Sequence, residues 1–184
     1  MNNLESLEQL LIERSVKTGH FILASGKASS IYIDARLTTM SPEGMQLIGP
    51  LALEQIETAG WNPDSIGGLT LGADPVSFAI SYASAARQKP LRAFSVRKEA
   101  KTHGTENLIE GPFSAHDRVV VVEDVITTGK SALQAIDAVR RQGAEVVGVL
   151  AVVDREEGGV KAIKNSGCEV ISLTSIRSLT TSAF

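Results

Sequence analysis

The residues best suited to chemistry lie at positions 119–131, in a valine-rich stretch that ends in acids, hydroxyls and a glycine. Four consecutive valines predict a strand buried on both faces of a parallel sheet. Glu123 and Asp124 come next and are expected to close that strand. The turn Thr127-Thr128-Gly129 then leads to Ser131 and to a helix with one apolar face.

This order of elements predicts an anion site. A glycine turn between a strand and a helix directs unpaired backbone N–H groups at a ligand such as a phosphate. Carboxylates repel phosphate, so the acidic pair should face another part of the ligand, and the ring hydroxyls of a sugar phosphate would suit it. Alternatively, the pair is only the solvated end of a core strand.

Two other phosphate-binding motifs are excluded. A Walker A loop is excluded, because Asp124 stands where that motif requires glycine. A dinucleotide-binding motif is excluded, because no G-x-G-x-x-G follows a predicted strand.

Composition narrows the class of protein. The 184 residues predict a single domain, 1–184, large enough to bury its own core. The formal net charge of −3 disfavours nucleic acid or an anionic membrane as the main partner. We expect a cytoplasmic protein, because no apolar stretch reaches the ~18 residues of a membrane span and the N-terminus lacks a secretory signal. Cys168 is the only cysteine, which excludes an internal disulfide and predicts a small buried side chain.

Beyond residue 60 the chain alternates between predicted strands and helices. This alternation predicts an α/β fold, a parallel sheet with helices on both faces. Earlier in the chain we expect a helix over 4–16, a short antiparallel hairpin over 21–36, and a helix that begins at Ser41-Pro42-Glu43. The predicted strands cover residues 66–71, 91–96, 119–122, 146–153 and 169–173, and the predicted helices cover residues 75–87, 130–141 and 160–165.

A weakly periodic stretch, 97–118, opens with a cluster of basic residues in an otherwise acidic chain. One interpretation is a solvated charge run. The other is a mobile lid whose cations stabilise an anionic leaving group and whose closure excludes water, and the sugar-phosphate motif favours it. The potential cations are Arg97, Lys98, Lys101 and His103.

Three segments carry a resemblance to a known family. Residues 123–131 resemble the ribose-phosphate signature of the type I phosphoribosyltransferases. Within that family, the loop Arg-Lys-Glu-Ala-Lys-Thr-His-Gly at 97–104 resembles the catalytic loop of the orotate phosphoribosyltransferases. Residues 21–36 are similar to the hood that those enzymes place over the base. The resemblance implies the type I phosphoribosyltransferase fold with a small N-terminal hood, about residues 1–40.

The resemblance also implies an activity. The enzyme would transfer the ribose 5-phosphate group from phosphoribosyl pyrophosphate to orotate, giving orotidine 5′-monophosphate and pyrophosphate in pyrimidine biosynthesis. Mg²⁺ would be the cofactor, held between substrate oxygens without a permanent protein cage. The family is also homodimeric, which implies a lid that completes the partner subunit's site.

Individual residues receive roles from the same resemblance. Lys101, His103 and Asp124 would be catalytic. The basic loop would bind pyrophosphate, the acidic pair the ribose hydroxyls, and the hydroxyl-rich turn the 5′-phosphate, while Thr127 would also touch orotate. Arg155 would grip the orotate carboxylate, which a planar guanidinium can bind with two parallel hydrogen bonds. The residues implied to bind substrate are Arg97, Lys98, Lys101, His103, Glu123, Asp124, Val125, Ile126, Thr127, Thr128, Gly129, Lys130, Ser131 and Arg155.

Some alternatives stay open. Leu71-Gly72 stands where some family members carry a tyrosine-lysine pair whose lysine helps to hold pyrophosphate. Without the resemblance, Arg155 could equally form a surface ion pair with Glu156 or Glu157, and the hairpin could serve only packing. The same fold could act on a purine or on uracil, or the chain could be a non-catalytic regulator that senses phosphoribosyl pyrophosphate.

Overall fold

The computed structural model describes residues 2–22, 28–99 and 108–181. Its strands are β1 (Val16–Ile22), β2 (Ala28–Ile33), β3 (Ser65–Leu69), β4 (Arg92–Val96), β5 (Ile109–Glu110), β6 (Arg118–Ile126), β7 (Glu145–Asp154) and β8 (Val170–Ser175). Its helices are α1 (Asn3–Arg14), α2 (Arg36–Thr39), α3 (Pro42–Thr58), α4 (Ala73–Ser84), α5 (Lys130–Arg141), α6 (Gly159–Asn165) and α7 (Ile176–Thr181). None of these helices is long and apolar enough to cross a membrane.

The main sheet confirms the predicted α/β fold. Six strands lie in the order β5-β4-β3-β6-β7-β8, all parallel except β5, which pairs antiparallel with β4 at the edge. Side chains alternate between the two faces of a strand, so the valines of β6 supply two cores. Val120 and Val122 join the core built with α3 and α4, and Val119 and Val121 join the core built with α5 and α6.

Local sequence signals explain several element boundaries. Ser41 caps α3 by accepting a hydrogen bond from the backbone N–H of Gly44, and Pro42 occupies the first turn, as predicted. The predicted hairpin is present as the antiparallel pair β1–β2, but it begins earlier than expected, because Val16 pairs with Ile33 instead of extending α1. The separation of a hood, about residues 1–40, from the rest of the domain stays a prediction.

One expectation about the central strand was wrong. Glu123 and Asp124 were expected to close β6, whereas the strand continues through them to Ile126. Parallel pairing with β7 extends it, since Val125 lies opposite Val153 and Ile126 opposite Asp154. The acidic pair therefore lies within a paired strand and has less freedom than a strand end would have.

Two further elements were missing from the sequence expectations. Strand β5 lies inside the weakly periodic stretch, and its two residues form a strand only by pairing with β4. Helix α7 follows β8 directly and buries Leu179. Cys168 is buried in the α5–α6 core, as predicted, where its Sγ accepts a hydrogen bond from Arg140 at 3.2 Å.

Candidate active site

A cavity of about 390 Å³ opens at the carboxyl ends of β6 and β7, beneath the end of the hairpin. Ligands of open α/β sheets bind at such strand ends, where the loops that follow the strands converge. The cavity is lined by Tyr32, Ile33, Asp34, Ala35, Arg36, Asp124, Val125, Thr127, Thr128 and Arg155. The fold thus joins predicted site residues from β6 and β7 to a segment nearly a hundred residues earlier in the chain.

A second cavity, of about 250 Å³, lies at the N-terminus of α5 and is formed by the hydroxyl-rich turn. Gly129 adopts a left-handed conformation with φ of 81°, and a Cβ there would lie 2.9 Å from the backbone oxygen of Gly159. Only glycine suits this turn, which leaves the first backbone N–H groups of α5 directed at a ligand. The cavity is lined by Glu123, Val125, Ile126, Thr127, Thr128, Gly129, Lys130, Ser131 and Ala132.

The two acids differ in their surroundings. Glu123 faces the smaller cavity and is 6% exposed, and its Oε2 has no hydrogen-bond partner among the described residues. Burial, reinforced by the charge of Asp124, raises the pKa of Glu123 to about 9. Asp124 faces the larger cavity, where burial also raises its pKa, opposed by a hydrogen bond from the N–H of Val125 and by the charge of Arg36. Such perturbed carboxyl groups are typical of functional sites.

The turn after β3 packs directly against Asp124. A Cβ at Gly72 would lie 2.4 Å from Asp124 Oδ1, so no side chain fits there without a shift of the carboxylate. Glycine stands at the position where the resemblance to the family places a lysine in some members. The backbone of the turn approaches the ligand site, and the turn brings no cation of its own.

Arg155 follows β7 and lines the larger cavity, as the sequence predicted. Its side chain is 9% exposed, and one Nη donates to Glu157 Oε1 at 2.9 Å. Its Nε is buried and has no partner in the part of the chain that the structure describes. The alternative of an ion pair with Glu157 is therefore present in the structure, but Arg155 itself is buried and lines the cavity.

The basic loop is only partly described. Arg97 pairs with Glu110 at 2.9 Å, and Lys98 is exposed and accepts a hydrogen bond from Gln134 through its backbone oxygen. Both residues lie outside the lining of the two cavities. The backbone N–H of Arg97 donates to Leu108 at 2.7 Å, which joins the two ends of the loop. Lys101 and His103 lie outside the described residues.

The structure also separates predicted site residues from one another. The side chain of Ile126 is buried in the core, so only its backbone can serve a ligand. Lys130 and Ser131 lie only in the smaller cavity, and Arg155 only in the larger one. Sequence reasoning placed Asp34 and Arg36 in the hood segment but gave neither an individual role, although both line the larger cavity. Opposite charges two residues apart at a strand end were the available signal.

A two-lobed site with a phosphate-type turn and a buried acidic pair, at the carboxyl edge of a parallel sheet, defines a phosphoribosyltransferase. The model of the phosphoribosyl transferase domain family matches residues 39–176. The chain belongs to this family.

Relatives that match nearly the whole length of this chain place it more narrowly, among the orotate phosphoribosyltransferases. The orotate phosphoribosyltransferase of Aquifex aeolicus is 47% identical over 178 residues, which cover 95% of this chain and 96% of the relative. That of Rhodopirellula baltica is 41% identical over 179 residues, covering 95% and 93%. The Mycobacterium tuberculosis enzyme in complex with phosphoribosyl pyrophosphate superposes with a TM-score of 0.82 at 40% identity, covering 97% and 99% of the two chains.

Proposed function

We propose that this chain transfers the ribose 5-phosphate group from phosphoribosyl pyrophosphate to orotate, releasing pyrophosphate and forming orotidine 5′-monophosphate. The observation that carries the proposal is the position of Arg155. Its buried guanidinium, with an unpartnered Nε, lines one cavity together with Asp124 and the threonines of the turn. Of the bases considered, orotate has a carboxylate that this arginine can bind, whereas uracil and the purines have none.

The two cavities divide the sugar substrate between them. The smaller cavity supplies backbone N–H groups at the N-terminus of α5, together with the hydroxyls of Thr127, Thr128 and Ser131, for the 5′-phosphate. Asp124 accepts hydrogen bonds from the ribose hydroxyls. Glu123 stays protonated near neutral pH, because its pKa is about 9, and it can donate a hydrogen bond as well as accept one.

Catalysis would be mainly electrostatic. Departure of pyrophosphate builds positive charge on the ribose ring and negative charge on the leaving group. Asp124, beside the ring, offsets the first charge, and preorganised cations offset the second. The lid residues Arg97, Lys98, Lys101 and His103 stay the proposed source of those cations, with orotate held for direct attack at C1 and no covalent enzyme intermediate.

Mg²⁺ stays the proposed cofactor. The described residues contain no group of three or more His, Cys, Asp or Glu side chains that could hold a metal ion. Asp124 offers the oxygen ligands that a hard cation prefers. The arrangement fits an ion held chiefly by substrate oxygens beside Asp124, which would neutralise charge on the pyrophosphate when bound.

The assay for this function offers each candidate base in turn. The protein is incubated with phosphoribosyl pyrophosphate, Mg²⁺ and orotate, uracil, adenine or hypoxanthine, and the absorbance of each base is followed. We expect consumption of orotate only. Turnover of another base in place of orotate would overturn the assignment. Binding of phosphoribosyl pyrophosphate without turnover of any base would favour the regulatory alternative.

We further propose that the protein is a cytoplasmic homodimer. In this dimer the lid of each subunit completes the active site of its partner. Two large side chains one helical turn apart on α4, Phe78 and Tyr82, are 50% and 85% exposed, which suits a surface that a second copy covers. Two inactive chains, Lys101→Ala and Asp124→Asn, can be mixed and re-equilibrated. If lids are shared, random pairing restores about a quarter of wild-type sites. No recovery, with subunit exchange shown separately, would contradict the shared lid.

A further inference from the structure

One side of the site has no cationic side chain, although a cation there would stabilise the negative charge of the leaving group. In phosphoribosyl pyrophosphate the leaving group is attached next to the 2′-hydroxyl, so hydroxyls bound at Asp124 bring pyrophosphate beside Asp124 as well. The turn after β3 packs against Asp124 at Gly72, and its residues 70–74 contain no Lys, Arg or His. Its charged residue is Asp74, which accepts a hydrogen bond from Ser95 Oγ at 2.6 Å.

Arg36 lies where it can supply the missing charge. It lines the larger cavity together with Asp124. It also lines an adjoining open cavity of about 460 Å³, whose lining includes Leu71 of the turn after β3. The charge of Asp124 contributes to raising the pKa of Arg36, after the larger effect of Asp34. Arg36 therefore borders both the cavity that holds Asp124 and the cavity that includes Leu71 beside the glycine turn.

Asp34 holds this arginine in a fixed orientation. Arg36 donates from Nε to Asp34 Oδ1 at 2.8 Å and from Nη2 to Oδ2 at 3.0 Å. This two-point pairing uses two of the five N–H donors of a guanidinium and leaves three for another partner. A planar cation held in this way loses little further side-chain entropy when an anion binds.

A surface ion pair with no further role is the competing explanation, and the chain provides an example. Arg14 pairs with Glu43 at 3.0 Å, and its side chain is 39% exposed against 47% for Arg36. Arg14 lines neither cavity that Arg36 borders. Exposed pairs of this kind contribute little to stability. Arg14 is thus a matched control for an arginine of similar exposure without a ligand.

We propose that Arg36, oriented by Asp34, binds the pyrophosphate group of the substrate from the hood side and replaces the cation that Gly72 cannot supply. The inference rests on the proposed function, since it assumes ribose hydroxyls at Asp124. It assigns to the hood a contact with the leaving group in addition to its contact with the base.

The test separates the two substrates in both reaction directions. Arg36→Gln keeps a polar side chain of similar length and removes the charge. We expect KM for phosphoribosyl pyrophosphate, and KM for pyrophosphate in the reverse reaction, to rise roughly ten-fold or more, as expected for the loss of a charge-assisted bond. KM for orotate should stay within two-fold. Arg36→Lys should recover part of the loss, Asp34→Asn should give a smaller rise, and Arg14→Gln should leave all constants unchanged.

A second measurement does not depend on turnover. Pyrophosphate with Mg²⁺ should raise the melting temperature of the wild type and of Arg14→Gln, and should raise that of Arg36→Gln much less. An unchanged KM for both pyrophosphate compounds, or a rise confined to orotate, would overturn the assignment of Arg36. If the wild type fails to consume orotate while the melting shift still depends on Arg36, the proposed function fails and the anion site stands.

Discussion

Two buried carboxyl groups at opposite ends of the same sheet show how this fold separates stability from function. Asp117, just before β6 at the amino end, is 4% exposed and accepts hydrogen bonds from Ser65 Oγ at 2.8 Å, Arg92 Nη2 at 2.6 Å and the N–H of Ser114 at 3.1 Å. Glu123, near the carboxyl end of the same strand, is 6% exposed and leaves Oε2 without a partner among the described residues.

The difference follows from what each end of the sheet must bind. Burial of a carboxyl group is costly unless hydrogen bonds replace its water. At the amino end the protein provides those bonds itself, and Asp117 ties β3, β4 and the start of β6 together. At the carboxyl end Glu123 Oε2 has no such bond from the described residues, and burial raises the pKa values of Glu123 and Asp124. The hydrogen bonds of Asp117 therefore stabilise the fold, while Glu123 and Asp124 are the groups that we propose bind substrate.

The largest effect should come from the carboxyl end. Asp124→Asn keeps the shape of the side chain but removes the charge that faces the ribose. Loss of two charge-assisted hydrogen bonds, at ~1.5–3 kcal/mol each, should lower kcat/KM by roughly 10²–10⁴. Circular dichroism should show an unchanged fold. Full activity in a folded variant would return the acidic pair to the role of a solvated strand segment.

Arg155→Ala should change the KM of one substrate, orotate. We expect KM for orotate to rise roughly ten- to a hundred-fold, because a charge-assisted bond to its carboxylate is lost. KM for phosphoribosyl pyrophosphate should stay nearly constant, and the preference for orotate over uracil should fall. Steady-state kinetics with each substrate varied in turn measure this. An unchanged KM for orotate would show that the pair with Glu157 is the whole role of this arginine.

Asp117→Asn should lower the stability of the protein and leave its catalysis unchanged. The variant weakens the hydrogen bonds to Arg92 and Ser65 and should lower the free energy of unfolding by about 2 kcal/mol. The folded fraction should retain wild-type kcat and KM, because Asp117 lies at the end of the sheet away from the site. Urea denaturation tests the loss of stability, and kinetics at low temperature test the unchanged kcat and KM. A loss of activity larger than the loss of folded protein would contradict the division between the two ends.

The pH dependence of stability, followed over one pH unit, gives the smallest effect. The pKa of Glu123 is about 9 in the folded protein against an ordinary value of 4.5, so between these values the folded state holds one more proton than the unfolded state. Stability from this group is complete below pH 4.5 and is lost as pH rises toward 9, at up to about 1.4 kcal/mol per pH unit. Glu123→Gln cannot titrate and should lack this slope. If the free energy of unfolding changes equally with pH in the wild type and in Glu123→Gln between pH 6 and 7, the raised pKa of Glu123 is refuted.

The sequence by itself determined the elements whose signals are local. Helix α5 has the predicted limits, Lys130–Arg141, because its apolar spacing and the glycine before it lie within one short segment. The cap at Ser41 and the alternation of strands and helices are local in the same sense. The resemblance of three segments to the orotate phosphoribosyltransferases was also contained in the sequence, and the relatives confirm it.

Only the tertiary structure decided what depends on contacts between distant segments. Strand β6 runs past the acidic pair because β7 pairs with its end. The carboxylate of Asp124 lies against Gly72, 52 residues earlier, in the space that a Cβ there would enter. Arg36 reaches the cavity only because the hairpin folds over the end of the sheet. Short-range periodicity and capping specify elements, but burial, pKa values and the meeting of charges arise from packing between parts of the chain that no local pattern relates.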